Sequence, residues 1–350
     1  MTGRLEILSS ITRFAPQDSD DGPFALIEAA QAAERAGIDN LLIGYSSQIP
    51  DGWSLAGYAL AHTSSIRVLL AHRPGVMVPT VAARMAATLD VLSGGRFTLN
   101  VITGGSPEDQ LREGDFVAHD DRYRRSIEYV DIMRRVWSAG EPLDIDGDFY
   151  RFRNTSQRLK PVQPGGPTIY MGGASSGAAD FAARQADVYM SWAEPVAMVK
   201  ARFDEVRARC AELGRPVPRF SVSLRLILGD TEDAAWAAAN AMLPPDFEET
   251  RRRDRHTEDV GRNRQLGLVE ESLVHDERLW LGLSAATHGQ GGMGALVGTP
   301  EQVKDALLRY VSEAGADALL ITAADGYFGE LPDGFVDALR TEGDKIVAGR

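Results

Sequence analysis

The sequence predicts one α/β domain spanning residues 1–350, a closed (β/α)8 TIM barrel with insertions after its fourth and seventh strands. Three observations carry that expectation. Short β-branched or apolar runs alternate with amphipathic stretches along the whole chain, as a parallel sheet with crossover helices requires. The alternation repeats eight times, which closes a barrel, whereas an open doubly wound sheet usually has about five or six strands. A content of 44% hydrophobic and 25% charged residues is that of a chain able to bury a large core.

In chain order, the first strand falls at 5–10 (LEILSS), before a helix at 24–36 whose apolar residues recur at three- and four-residue spacing. Strands follow at 40–44 and 68–71, then a helix at 80–92 and a strand at 97–103 (FTLNVIT). A helix at 122–137 leads to strands at 168–172 and 188–192, a helix at 195–213, and strands at 220–228 and 318–322. Two segments break the repeat, each after a strand, on the side where barrel active sites are built. One is 104–121; the other, about 244–292, opens with the charge-dense run PPDFEETRRRDRHTEDVGRNRQ. It reads either as a solvated surface loop or as a mobile lid, and its place after a barrel strand favours the lid.

The net charge of −13 argues against nucleic acid, whose binders gather Lys and Arg on one face. The lone Cys210 lies in a helical pattern and reads as a core thiol in a reducing compartment. There is neither a leader-like N-terminus nor an apolar run of about 18 residues, so a cytoplasmic protein without a membrane span is expected. H-E-x-x-H, a close His/Cys cluster and a Walker loop are all missing from the sequence.

The most informative local feature is PTIYMGGASSGAADFAARQAD, a strand that ends in glycines and enters a helix through serines. Such a turn binds anions: glycines let a phosphate approach the backbone, and the first helical turn offers free N–H groups and the positive end of its dipole. Gly172, Gly173, Ser175 and Ser176 are the candidates. The bland alternative is a serine N-cap on a tight turn. A sharper rival is the G-x-S-x-G nucleophile elbow of α/β-hydrolases at 173–177, which needs a downstream acid and histidine. His256, His275 and His288 lie in or beside the long insertion, and an HGGG-type oxyanion segment is missing.

The stretches RPGVMVPTVAARMAATLD, LSGGRF, VITG, DDRYRRSIEYVDIMRRVW, DFYRF, PTIYMGGASSGAADFAARQADVYMSWAEP and ALVGTPEQV occur in order along most of the chain. Together they resemble the bacterial luciferase-like flavin-dependent monooxygenases, nearest the alkanesulfonate monooxygenase branch. The resemblance implies a barrel enzyme that takes reduced FMN (FMNH2) from a separate NAD(P)H-dependent flavin reductase, forms a C4a-peroxyflavin with O2, and oxygenates a small organic substrate. It also implies a homo-oligomer, a dimer or tetramer. Carried onto this chain, Asn100 and Thr103 face the flavin ring, as do Ala71 and His72 at the end of the third strand. A related pyrimidine-cleaving oxygenase pattern places Glu108, Arg122, Tyr123 and Ser175 on the flavin, with Arg122 suited to the phosphate by its bidentate fork. Outside the motifs, His72 would as readily be structural and Arg122 a solvated helix residue. Trp192 reads as a cavity wall or as core packing.

The chain departs from that branch on its seventh strand. FSVSLRLILGD has Ser223 and Arg225 where the branch carries an arginine and a histidine that handle the sulfonate and the oxygenated intermediate. Arg225 could bind an anionic substrate or pair with a carboxylate. The branch's histidine after the first strand and cysteine after the second are missing, with Arg13 a substitute in charge. The glycine-rich loop offers only His288, and Tyr327 stands near the place of a late tyrosine. Arg225, His288 and Tyr327 are therefore the catalytic candidates. An organosulfur substrate such as an alkanesulfonate is expected. The alternatives are a nitrogen heterocycle, aldehyde or ketone, a deazaflavin-dependent oxidoreductase, or a non-catalytic flavin-binding barrel.

Overall fold

The computed structural model describes residues 3–11, 24–104, 107–247, 260–287, 294–323 and 331–350. Its elements are β1 (Glu6–Ile11), α1 (Phe24–Arg35), β2 (Asn40–Ile43), α2 (Gly52–Ala61), β3 (Arg67–His72), α3 (Pro79–Ser93), β4 (Phe97–Val101), α4 (Pro107–Arg112) and α5 (His119–Ser138). Then come β5 (Leu143–Asp146), β6 (Arg151–Thr155), β7 (Ile169–Gly172), α6 (Ser176–Gln185), β8 (Val188–Trp192), α7 (Val196–Leu213), β9 (Arg219–Leu228) and α8 (Glu232–Ala241). The chain ends with α9 (Val260–Glu271), β10 (Val274–His275), β11 (Leu279–Trp280), α10 (Gly282–Ala286), β12 (Ala295–Gly298), α11 (Pro300–Arg309), β13 (Ala318–Ala323) and α12 (Phe335–Ala348).

Eight parallel strands close on themselves in the order β1, β2, β3, β4, β7, β8, β9, β13 and back to β1. This is the expected TIM barrel, and closure leaves the ring no edge. The period-two alternation of each strand sorts its side chains. Ile7, Val68, Leu70, Leu99, Met171 and Val222 pack outward against the helices, whereas Leu8, Leu69, Tyr170, Val188, Met190 and Leu320 fill the lumen.

The lumen is closed at the N-terminal end of the strands by a polar plug. Glu6, only 4% exposed, pairs with Arg67 through one oxygen and with Arg219 at 2.8 Å through the other. Tyr170 donates its hydroxyl to Glu6 at 2.7 Å, and Asn40 donates to Thr98 at 3.1 Å. These groups come from six strands of the ring, so their mutual satisfaction fixes strand register.

Beyond Trp192, β8 ends and the edge of β9 is taken over by β12, from Arg225 opposite Ala295 to Leu228 opposite Gly298. β11 and β10 extend this flap antiparallel. The described part of the 244–292 segment thus carries a helix, a two-stranded ladder and a short second helix, joined to the barrel's seventh strand. The hairpin β5–β6 stands apart as a second, two-stranded sheet.

Candidate functional site

Barrel enzymes place their working residues at the C-terminal ends of the strands, and here the lumen-facing positions of that mouth differ in kind from the plug. Ser10 and Thr322 share a buried hydrogen bond of 2.8 Å. Asn100 is 8% exposed, and its side-chain oxygen is buried without a hydrogen-bond partner among the described residues. Arg225, opposite Thr322 in the ladder, makes no ion pair among the described residues; its Nε is buried and unbonded, and burial lowers the pKa of its guanidinium. Leaving a cation and an amide oxygen unmet in a desolvated mouth is costly unless a ligand meets them.

The loop between β7 and α6 forms one wall. Ser175 is the N-cap of α6, its Oγ accepting from Ala178 N at 3.2 Å. Among the described residues, the N–H groups of Ala174, Ser175, Ser176 and Gly177 have no hydrogen-bond acceptor. The buried ring of Tyr123, on the first turns of α5, lies against this loop. A Cβ at Gly177 would come within 2.9 Å of the ring, and one at Gly173 within 2.7 Å of Ala178 Cβ. A side chain at either position would collide with the packing around the loop, which accounts for both glycines. Arg122, beside Tyr123, is also buried.

Not every expected residue turns toward the mouth. Ala71 faces the lumen, so the adjacent His72 faces the helix layer. There its Nε2 lies 2.7 Å from the Tyr129 hydroxyl and its ring meets Trp53 edge-on, 5.3 Å between centroids. Complete burial, with Arg73 nearby, pushes its pKa down to about 3. The imidazole is a neutral core group, not a flavin-facing one. Glu108 is 79% exposed on the short helix α4, beside Arg112, and points to solvent. Thr103 lies half-buried just past β4, which ends at Val101 rather than at 103. Trp192 is 37% exposed at the end of β8 and so is not core packing. Gly172 and Ser176 flank the cradle, Ser176 exposed. Arg13, His256, His288 and Tyr327 lie outside the described residues.

The hydrolase elbow finds no support in this geometry. The Ser175 hydroxyl is committed to its cap, and His275 is bonded to the carbonyls of Leu268 and Ser272 at 3.1 and 3.0 Å. Among the described residues, no three His, Cys, Asp or Glu side chains come together to hold a metal, and no helix is long and apolar enough to cross a membrane.

Several contributors were not anticipated from the sequence. Tyr189 donates its hydroxyl to Gly173 O, and Arg202 donates to Ala174 O at 2.8 Å, so both pin the cradle from behind. After the neighbouring strands of the ring, the buried Arg73 pairs with Glu113, donates to Asp109 O and lies 5.2 Å from the centre of the Tyr45 ring. Tyr45 donates to the same Glu113 at 2.6 Å. Arg125 and Asp115 form a buried pair at 2.6 Å, with Arg125 also holding Pro74 O. Together these contacts tie the loops after β2, β3 and β4 into one rim. An arginine directly after a barrel strand, as in HRPG, was the available signal.

A model of the luciferase-like monooxygenase family matches residues 5–318, so the chain belongs to that family and is an enzyme of the flavin-dependent monooxygenase class. Solved structures with the same fold include EDTA monooxygenase from Chelativorans sp. BNC1, 19% identical, covering 98% of this chain and 94% of that one at a TM-score of 0.77. A riboflavin lyase solved with modified FMN and its substrate riboflavin is 19% identical, covers 97% and 92%, and has a TM-score of 0.75. An F420-dependent secondary alcohol dehydrogenase in complex with an F420-acetone adduct is 17% identical, covers 99% of each chain, and has a TM-score of 0.68.

Proposed function

We propose that this protein is the oxygenase component of a two-component system that binds reduced FMN supplied by a separate flavin reductase. The observation that carries the reading is the cradle at 172–177, whose free N–H groups and helix N-terminus suit a phosphate, set beside the unmet Asn100 oxygen in the same mouth. In this reading Gly172, Gly173, Ser175, Ser176 and the buried Arg122 hold the phosphate end, with Tyr123 packed against the cradle. Ala71 lines the lumen without bulk, and Asn100 accepts a hydrogen bond from an N–H of the isoalloxazine; Thr103 and Trp192 border the ring. When bound, the reduced flavin supplies the electrons that activate O2.

Arg225 directs the substrate. A guanidinium at the mouth with no ion pair among the described residues suits an anionic headgroup, and an organosulfur anion such as an alkanesulfonate fits that requirement. His288 and Tyr327 are proposed to complete the substrate side, and 244–292 to exclude water while oxygen reacts. A second reading, the same barrel with a deazaflavin and no oxygen chemistry, is favoured by the fold it shares with the F420-dependent dehydrogenase. Assembly as a dimer or tetramer belongs to the same proposal.

Anaerobic titration with reduced FMN, followed by mixing with oxygenated buffer, separates these readings. Tight binding with oxygen consumption coupled to sulfite release from an alkanesulfonate supports the first. Binding of reduced F420 with no oxygen uptake supports the second, and binding of neither cofactor removes both.

A further inference from the structure

The cradle is held from behind by residues that do not touch its open side. In a trans peptide, a carbonyl and the N–H of the following residue point in opposite directions. Tyr189 and Arg202 capture the carbonyls of Gly173 and Ala174, so the N–H groups of Ala174 and Ser175 are turned the other way, outward. Burial holds the Tyr189 phenol above its usual range, which keeps it a donor.

Arg202 is 5% exposed and reaches further. Its second terminal nitrogen lies 3.6 Å from Glu194, a carboxylate that is itself 3% exposed. Glu194 is gripped by Arg264 of α9 through two hydrogen bonds of 3.0 Å. The next residue of α9, Gln265, donates to Ala193 O at 2.8 Å and accepts from Ser284 of α10 at 3.0 Å. The backbone of Glu194 is fixed as well, its carbonyl accepting from the buried Tyr310 hydroxyl at 2.9 Å. Among the described residues, these two guanidinium groups and the one buried carboxylate they share carry a net positive charge behind the anion cradle. A phosphate in the cradle would offset it.

We propose that Arg202 is a positioning residue for the phosphate cradle and that the Arg202–Glu194–Arg264 relay couples occupation of the cradle to docking of α9, the helix of the long insertion. This rests on the reading of 172–177 as a phosphate site. Filling the cradle strengthens the hold of Arg202 on Ala174 and of Glu194 on Arg264, so a flavin carrying a phosphate seats the insertion more firmly than one without.

The test compares reduced FMN with reduced riboflavin, which lacks the phosphate, under anaerobic conditions. In the unaltered protein FMN should bind at least tenfold more tightly than riboflavin and slow amide exchange across 260–271, while riboflavin should not slow it. Equal binding of the two flavins would remove the phosphate reading itself, and the relay with it. Given an FMN preference, Arg202→Met should reduce it about tenfold at unchanged riboflavin affinity, and Arg202→Lys should not restore it. Arg264→Met, which leaves Arg202 and the cradle intact and decides the question should Arg202→Met not fold, should lower the preference about threefold and abolish the FMN-dependent exchange protection. An undiminished FMN preference with protection retained in the Arg264 variant, or equal weakening of both flavins in the Arg202 variant, would overturn the relay.

Discussion

The two ends of the barrel are built from the same strands and hold opposite kinds of polar chemistry. At the N-terminal end, the Glu6 carboxylate is ion-paired with Arg67 and Arg219, with Tyr170 and Asn40 bonded into the same cluster. At the C-terminal end, Asn100 keeps an oxygen without a partner, Arg225 has no carboxylate among the described residues, and four consecutive N–H groups of the cradle are open. Polar groups that satisfy one another serve the fold, and those left unmet at the mouth are the ones that the proposed flavin and substrate would engage.

The largest effect expected from breaking this contrast lies at the plug. Glu6→Gln leaves two arginines without their carboxylate and should cost about 3 kcal/mol in urea unfolding, the low end for removing one partner of a buried ion pair, because Arg67 and Arg219 stay partly exposed. Flavin affinity of the folded fraction should be unchanged. A loss below about 1 kcal/mol would mean that the plug is not what the fold leans on.

His72 sharpens the contrast by separating height along a strand from the face it serves. It stands at the mouth but is buried neutral, with a pKa near 3 against 6.5 for the free imidazole. The unfolded chain therefore binds a proton between those values that the native state refuses, so the contribution is intact above pH 6.5 and is lost as pH falls toward 3. By pH 4 the loss is on the order of 3 kcal/mol. His72→Gln, which cannot titrate, should show a flatter decline in stability between pH 6.5 and 4, measured by denaturant unfolding at each pH. Parallel declines would show that His72 takes up its proton in the folded protein.

At the mouth the same kind of edit should leave stability alone. Arg225→Met removes a desolvated cation that has no ion-pair partner among the described residues to strand, so unfolding free energy should hold or rise slightly. Turnover of an anionic substrate should fall by about 1.5–3 kcal/mol in kcat/KM, the range for a hydrogen bond to a charged group. An uncharged thioether should lose little. If both substrates fell equally, Arg225 would be acting on the flavin or the fold rather than on the anion.

Much of this was legible in the sequence, because eight alternations of apolar strand and amphipathic helix leave few architectures open, and strand-glycine-serine-helix identifies its own turn. The hairpin β5–β6 was not, since LDID and RFRNT are short, charged and mostly exposed, with no apolar face to reveal their period. Tyr189 lies within the strand expected at 188–192 and Arg202 within the helix expected at 195–213, and neither pattern shows that the folded chain brings them onto the Gly173 and Ala174 carbonyls. Ala71 and His72 could have been separated from the start, because adjacent strand residues cannot both face the lumen. Glu6, Arg67 and Arg219 lie far apart in sequence and meet only once the barrel closes.

The smallest expected effect is the most discriminating, because it compares two residues on one rung. Asn100 on β4 pairs in register with Tyr170 on β7, and both face the lumen. Tyr170 reaches the plug, where its hydroxyl bonds Glu6 and accepts from Asn40. Asn100 leaves its oxygen open. Tyr170→Phe should therefore lower stability by about 1–2 kcal/mol, because it removes a donor from a buried carboxylate, and should not change flavin binding. Asn100→Ala removes no hydrogen bond from its oxygen, so stability should stay within about 0.5 kcal/mol. Its cost should appear instead as a loss of about 1 kcal/mol, roughly fivefold, in affinity for reduced FMN measured anaerobically. Riboflavin should weaken by the same factor, since the ring and not the phosphate would meet that oxygen. A loss seen with FMN alone would move Asn100 from the ring to the phosphate side, and a loss of stability without a change in affinity would make it part of the barrel's own packing.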